Sequence, residues 1–144
     1  MYRKAFTLLE VLLVMILISI LLVILIRLIN PEQRIGDINN AQRQADVLTI
    51  YTAINQYRDA NLGKLPAGIT STAIDICQSG CAPSSTQIDI STELNQYLRS
   101  NTLPIDPLQT GTTLTGYTVY VTPEGRVIVA APLAQNGVII NTLE

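Results

Sequence analysis

The stretch Lys4-Ala5-Phe6-Thr7-Leu8-Leu9-Glu10-Val11-Leu12-Leu13 decides how the rest of this 144-residue chain is read. A five-residue leader carrying Arg3 and Lys4 meets an apolar run, and one carboxylate, Glu10, lies inside that run. From Val11 to Ile26 every residue is apolar except Ser19. Moving an ionised carboxylate out of water without a partner costs several kcal/mol at least. An ionisable residue in such a segment is a functional hypothesis by default, once its partner can be named.

Cutting the chain between Ala5 and Phe6 supplies that partner. The cut creates a free amino group on Phe6, four residues before Glu10. Residues four apart on a helix share a face, roughly 6 Å from each other. The new ammonium and the Glu10 carboxylate can then compensate each other, within one chain or between neighbours. The competing reading is a signal-anchor helix whose single acid snorkels near its cytoplasmic end.

Phe6 to Ile26 is 21 residues, which as a helix is about 32 Å long against a hydrocarbon core of about 30 Å. Arg3 and Lys4 predict that the N-terminal end starts in the cytoplasm, and Arg27 alone at the other end does not reverse that bias. A conventional secretory signal peptide has a shorter apolar region followed by a small-x-small cleavage site. Here Arg27-Leu28-Ile29-Asn30-Pro31 follows instead. The formal charge is −2, and the leader contributes +2 through Arg3 and Lys4, so the chain after Ala5 carries −2 − 2 = −4 on its side chains. That balance argues against nucleic-acid binding, which needs a basic stripe.

Pro31 is expected to break or kink the helix near Asn30, and equally to open a second helix with Asn30 as N-cap. Ile35, Ile38, Ala41, Ala45, Leu48, Ile54 and Tyr57 then recur at helical steps, with Gln33, Asp37, Asn40, Gln44 and Asp46 between them. This predicts an amphipathic helix that packs through the apolar set and ends at Gly63 and Pro66.

Leu65 to Asn101 is the least regular region, and Pro66 to Ser85 reads as loop. Cys77 and Cys81 fall inside it. The chain has no His and no third Cys, so a metal pair lacks ligands. Between a disulfide and two free thiols, the oxidising far side of a membrane favours the disulfide. Ser91 to Arg99 reads as a short helix capped by Ser91, with Leu94, Tyr97 and Leu98 inward. Leu103-Pro104-Ile105-Asp106-Pro107 must run extended. Tyr117–Thr122, Arg126–Ala131 and Val138–Leu143 are rich in β-branched and aromatic residues and predict an antiparallel meander, turning at Pro123-Glu124-Gly125 and at Asn136-Gly137. The expected fold is therefore α+β, a long N-terminal helix packed on a small antiparallel sheet of three to four strands. Asp75, Asp89 and Asp106 are too dispersed for a calcium loop and read as surface or turn residues. Tyr51, Tyr57, Tyr97, Tyr117 and Tyr120 read as core or sheet residues. Without His there is no ordinary hydroxyl triad, and no glycine-rich phosphate loop is present, so no enzyme and no cofactor are expected.

Ala5-Phe6-Thr7-Leu8-Leu9-Glu10 after a short basic leader resembles the processing site of type IV pilins and pseudopilins. The second-half stretch Asn30-Pro31-Glu32-Gln33-Arg34, the exit Gly63-Lys64-Leu65-Pro66, the Leu103-Pro104-Ile105-Asp106-Pro107 run and the tail Asn141-Thr142-Leu143-Glu144 are similar to pilin segments too. The resemblance is specific at the N-terminus and soft after Asn61. It implies cleavage after Ala5 by a membrane aspartic peptidase, where the family usually has Gly, and methylation of the new Phe6 amine by the same enzyme. It implies that Glu10 pairs with the N-terminus of a neighbouring subunit during assembly. The implied organisation is a leader at 1–5, a membrane or filament-core helix at 6–29, an amphipathic half at 30–62 and a globular head at 63–144. The implied protein is a single-pass membrane precursor, its leader cytoplasmic, that ends as a cell-surface filament subunit. The implied partners are copies of itself, the prepilin peptidase, an assembly platform protein and an ATPase. A type II secretion pseudopilin and a monomeric membrane-anchored binding module are the alternatives. Many pilins carry a disulfide, commonly nearer the C-terminus than Cys77 and Cys81.

Overall fold

The structure is a computed structural model, and it describes residues 6–82 and 84–143, the Ile29 side chain excepted. The leader at 1–5, with Arg3, Lys4 and Ala5, lies outside the described residues, as does Glu144. The chain divides into two compact units, Met1–Ile35 and Gly36–Glu144.

The first unit is built on α1, Leu8–Ile29. Ser19 donates its hydroxyl to the Met15 carbonyl at 2.8 Å, so the one uncharged polar side chain of the run is satisfied inside the helix, as an apolar surrounding requires. The helix ends at Asn30, which adopts the left-handed conformation (φ 43°). Asn tolerates that conformation better than most residues. Pro31 cannot donate to a preceding turn, and α2 begins there, Pro31–Ala60. The break expected at Pro31 is thus present, with Asn30 terminating α1.

α2 ends with Leu62 in the left-handed region (φ 57°) and the Gly63 amide donating to the Arg58 carbonyl at 2.8 Å. This is the hydrogen bond of a Schellman stop. From Gly36 onward the helix buries Gly36, Asn40, Arg43, Val47, Ile50, Ala53 and Ile54. That face differs from the expected one. Ile35, Ile38 and Leu48 are 58%, 69% and 61% exposed, and Ala41 and Ala45 are exposed as well. Ile54 alone of the expected set is fully buried, with Tyr57 half-buried against the core. The buried residues repeat in steps of four and three, and two of the six that keep that rhythm, Asn40 and Arg43, are polar. An inward stripe read from apolar side chains alone is rotated away from the true one.

The core is a mixed four-stranded sheet in the order β2-β1-β3-β4, with β1 Ile74–Cys77, β2 Gln87–Ile88, β3 Leu114–Val121 and β4 Val127–Ala130. β3 and β4 form the expected hairpin through Pro123-Glu124-Gly125, where the Gly125 amide donates to the Thr122 carbonyl at 2.9 Å. Two features correct the expected meander. β1 arises from the stretch read as loop and β2 from the irregular region just after it, and they pair parallel, so the sheet is not purely antiparallel. The expected strand Val138–Leu143 is reduced to one bridge, Ala130–Asn141. Its turn does form: Asn136 and Gly137 both have positive φ and the Val138 amide donates to the Gln135 carbonyl at 3.2 Å, as in a type I′ turn. Beyond it the tail lies along the outer edge of β4. Ala131 donates to the Ile140 carbonyl at 3.0 Å, Thr142 donates to the Val129 carbonyl at 3.1 Å, and the Thr142 hydroxyl accepts from the Val129 amide at 3.2 Å.

Val47, Ile50, Ala53 and Ile54 of α2 share one apolar core with Ile74, Ile76, Tyr117, Val119 and Val129 of the sheet. The short helix α3, Ser91–Leu94, continues as a 3-10 turn over Asn95–Tyr97 and adds Leu94 and Leu98 to that core. Tyr57 and Tyr97 meet edge to face, with centroids 6.1 Å apart. Ser91 is the first residue of α3 and not its cap. Its amide and hydroxyl both donate to Asp89 Oδ1, at 2.9 and 2.6 Å. Burial pushes the Asp89 carboxyl upward, but those two bonds and the Gly80 amide together hold it below the usual value. Cys77 and Cys81 are joined in a disulfide, and Gly80 inside that short loop donates to Asp89 Oδ2 at 3.0 Å.

Candidate processing and assembly site

The N-terminal unit places Phe6, Thr7 and Glu10 within one turn of the start of α1. Thr7 is the N-cap: its backbone is extended (φ −80°, ψ 149°) and its hydroxyl oxygen accepts from the Glu10 amide at 3.3 Å. One of the amides left over at a helix start is thereby satisfied. Phe6 precedes the helix and is 76% exposed. It is therefore not in helical register with Glu10, and the one-turn stacking of the two residues within a chain is not formed. Glu10 stands in the first turn, exposed, where a negative charge suits the helix dipole.

Below this end, α1 offers an almost uninterrupted apolar surface. Every described side chain from Leu8 to Leu28 is exposed. The helical stretch has an 18-residue window of mean hydropathy 3.3, long and apolar enough to cross a membrane. A monomeric soluble protein rarely exposes an apolar patch beyond a few hundred Å².

Residues 1–26 match the family model described as the prokaryotic N-terminal methylation motif. The chain carries the class III prepilin leader of type IV pilin-like proteins. Among curated proteins and among solved structures, none matches it significantly. The motif is one that implies processing by prepilin peptidase, and it supports a type IV pilin-like or pseudopilin protein. Leader and apolar helix together fit a membrane-anchored, surface-exposed protein.

The unit Gly36–Glu144 holds a second constellation, which the sequence reading did not anticipate. Arg43 on α2 is fully buried and forms a two-pronged pair with Asp106, Nε to Oδ2 at 2.6 Å and Nη2 to Oδ1 at 3.0 Å. Asp106 is therefore a buried ion-pair partner and not a surface residue, while its Oδ1 also accepts from the Leu108 amide at 2.8 Å, the turn role that was the other expectation. Arg43 Nη1 also donates to Asn40 Oδ1 at 2.9 Å. Asn40 in turn exchanges two bonds with the Gln135 backbone, Nδ2 to the carbonyl at 2.8 Å and Oδ1 from the amide at 2.9 Å. One face of α2 thus holds the Leu103–Pro107 segment and the turn at Gln135 together. Tyr117 donates its hydroxyl to Asp46 Oδ2 at 2.7 Å. Burial first, and then the Asp46 carboxylate, drive the Tyr117 phenol far above its ordinary value. Among the described residues no group of three or more His, Cys, Asp or Glu is placed to hold a metal. These contacts tie α2 to the Leu103–Pro107 segment, to the turn at Gln135 and to β3.

Proposed function

We propose that this chain is a structural subunit of a type IV pilus-like filament, cleaved between Ala5 and Phe6, methylated on Phe6 and polymerised through α1. The observation that carries the reading is the methylation motif on a helix whose described side chains are all exposed and whose sole acid is Glu10. The mechanism follows from desolvation. The precursor sits in the membrane with its leader on the cytoplasmic side and its head outside. Cleavage frees the Phe6 amine, which stays cationic when methylated. Because Phe6 lies outside the helical register of its own Glu10, the amine of a neighbouring copy is the better counter-ion for that carboxylate. Leaving lipid for a bundle of identical helices changes the apolar surroundings little, so packing and the charge pair decide the outcome. The proposed partners are other copies, the prepilin peptidase, an assembly platform and its ATPase.

The proposed organisation assigns 1–5 to the leader, 6–29 to the filament core, 30–62 to the amphipathic half and 63–144 to the head. The test is mass spectrometry of the mature chain together with electron microscopy of sheared cell-surface material. A methylated Phe6 terminus in long filaments supports the reading. A methylated terminus without surface filaments, in cells that need the chain for protein export, moves it to a type II secretion pseudopilin. An intact Met1 on a solitary membrane protein sinks it in favour of the anchored binding module.

A further inference from the structure

Thr7 is the only Ser, Thr, Asn or Asp among residues 1–10, so it is the only side chain there with a strong preference for capping a helix. The residues before it include Arg3, Lys4 and Ala5, all good helix formers. Leu8 and Leu9 continue the same preference on the other side. Nothing but Thr7 therefore tells the helix where to begin. The structure uses it so: α1 starts at Leu8, Thr7 accepts from the Glu10 amide, and Phe6 and Thr7 are non-helical.

We propose that Thr7 is a positioning residue for processing, because its cap starts α1 only after Phe6 and keeps Phe6 and Thr7, which follow the cleaved bond, out of the helix. The inference rests on the reading of Ala5 and Phe6 as the cleavage pair. Hydrolysis adds water across that peptide bond: the hydroxyl goes to the Ala5 carbonyl carbon, the C–N bond breaks and the Phe6 nitrogen takes the proton. A peptide bond inside a helix has its groups turned into the helical ladder and its carbonyl crowded by the adjacent turn. A peptidase must reach that carbonyl and align the chain on either side of it, which extended backbone permits. Thr7 sets the boundary between the two states one residue beyond the new N-terminus. Thr7-Leu8-Leu9-Glu10 also has the spacing of a capping box, of which the Thr7 half is in place.

The experiment follows cleavage of the full-length precursor in membrane vesicles by a prepilin peptidase, timed by intact-mass measurement. Thr7→Val keeps the size and branching of the side chain and removes the acceptor. Its initial rate is expected to fall roughly fivefold, the population change that loss of one cap produces. Thr7→Ser keeps the cap and the wild-type rate. In the Thr7→Val/Leu8→Pro double variant, Pro at the first helical position bars residue 7 from helical backbone and restores the rate. Leu8 is 83% exposed, so little packing within the chain is lost. Wild-type cleavage of Thr7→Val overturns the inference, and so does a Thr7→Ser protein as slow as Thr7→Val. Rescue by Ser without rescue by Pro also overturns it, since the hydroxyl would then act by touching the enzyme. If the unsubstituted chain is not cut after Ala5, the underlying reading fails and takes this inference with it. The first three outcomes leave that reading intact.

Discussion

Arg43 and Asp106, 63 residues apart in sequence, meet fully buried with Arg43 Nε 2.6 Å from Asp106 Oδ2. The pair joins α2 to the segment leading into β3. Removing one partner leaves a buried charge without compensation, which costs about 3–5 kcal/mol. Arg43→Met is expected to destabilise the chain by that amount in urea unfolding of the detergent-solubilised protein. Replacing both partners by apolar residues is expected to recover much of the loss. A single variant with the wild-type midpoint would show that the pair adds nothing.

Gly116 lies next to that pair. It has φ +86°, and a Cβ there would sit 2.6 Å from Asp106 Cβ and 2.7 Å from Gln109 Cγ. Gly125 has a similar φ of +79° with nothing within 4 Å. Gly125→Ala carries backbone strain alone, about 1 kcal/mol. Gly116→Ala adds overpacking and is expected to cost about 2–4 kcal/mol in total. Comparing the two thermal midpoints separates strain from crowding.

The exposed and buried faces of α2 make a third prediction. Ile50→Ala removes a fully buried side chain of the core and is expected to cost about 2–5 kcal/mol. Leu48→Ala, two residues away and 61% exposed, is expected to stay within about 0.5 kcal/mol. Equal effects in unfolding experiments would contradict the observed face.

Tyr117 gives a pH dependence. Its phenol is raised from the ordinary value of 10.0, so the fold favours the protonated form. That contribution is fully present below pH 10 and declines as pH rises further, because the unfolded chain ionises first. Tyr117→Phe removes the bond to Asp46, at a cost of about 1 kcal/mol near neutral pH. Its stability is expected to fall less steeply than that of the wild type between about pH 10 and 12. Unfolding series across that range read the two slopes.

Glu10→Ala tests assembly apart from processing. Filament yield is expected to fall at least about tenfold, the effect of losing roughly 1.4 kcal/mol of pairing at each addition. Membrane insertion should persist, since removing a charge from an apolar helix does not oppose it. Normal filament yield from Glu10→Ala would contradict a guiding role for the carboxylate.

The N-terminal part was legible because its signals are local. A basic leader, one acid in an apolar run and Pro31 each act within a turn or two. The β3–β4 hairpin was legible for the same reason, with its turn residues between two β-branched runs. The inward face of α2 was not, because Asn40 and Arg43 point to the core only by virtue of partners at Gln135 and Asp106. Their one local trace is the four-three spacing that runs from Gly36 through Val47 to Ile54. β2 has only two residues and pairs parallel with β1 across a disulfide-closed loop. Neither its length nor its composition separates it from the Ser- and Thr-rich surroundings. The C-terminal strand failed differently: its sequence favours β structure, yet Thr142 meets the Val129 amide with its hydroxyl and the ladder ends there.

That tail has a wider consequence. An open sheet margin is an invitation to endless stacking, and here one margin is occupied by the chain's own end while the other is a strand of just two residues. Crowded copies of the Gly36–Glu144 unit therefore have little means of zipping together through their sheets. Association of copies through this sheet is therefore disfavoured at both of its margins.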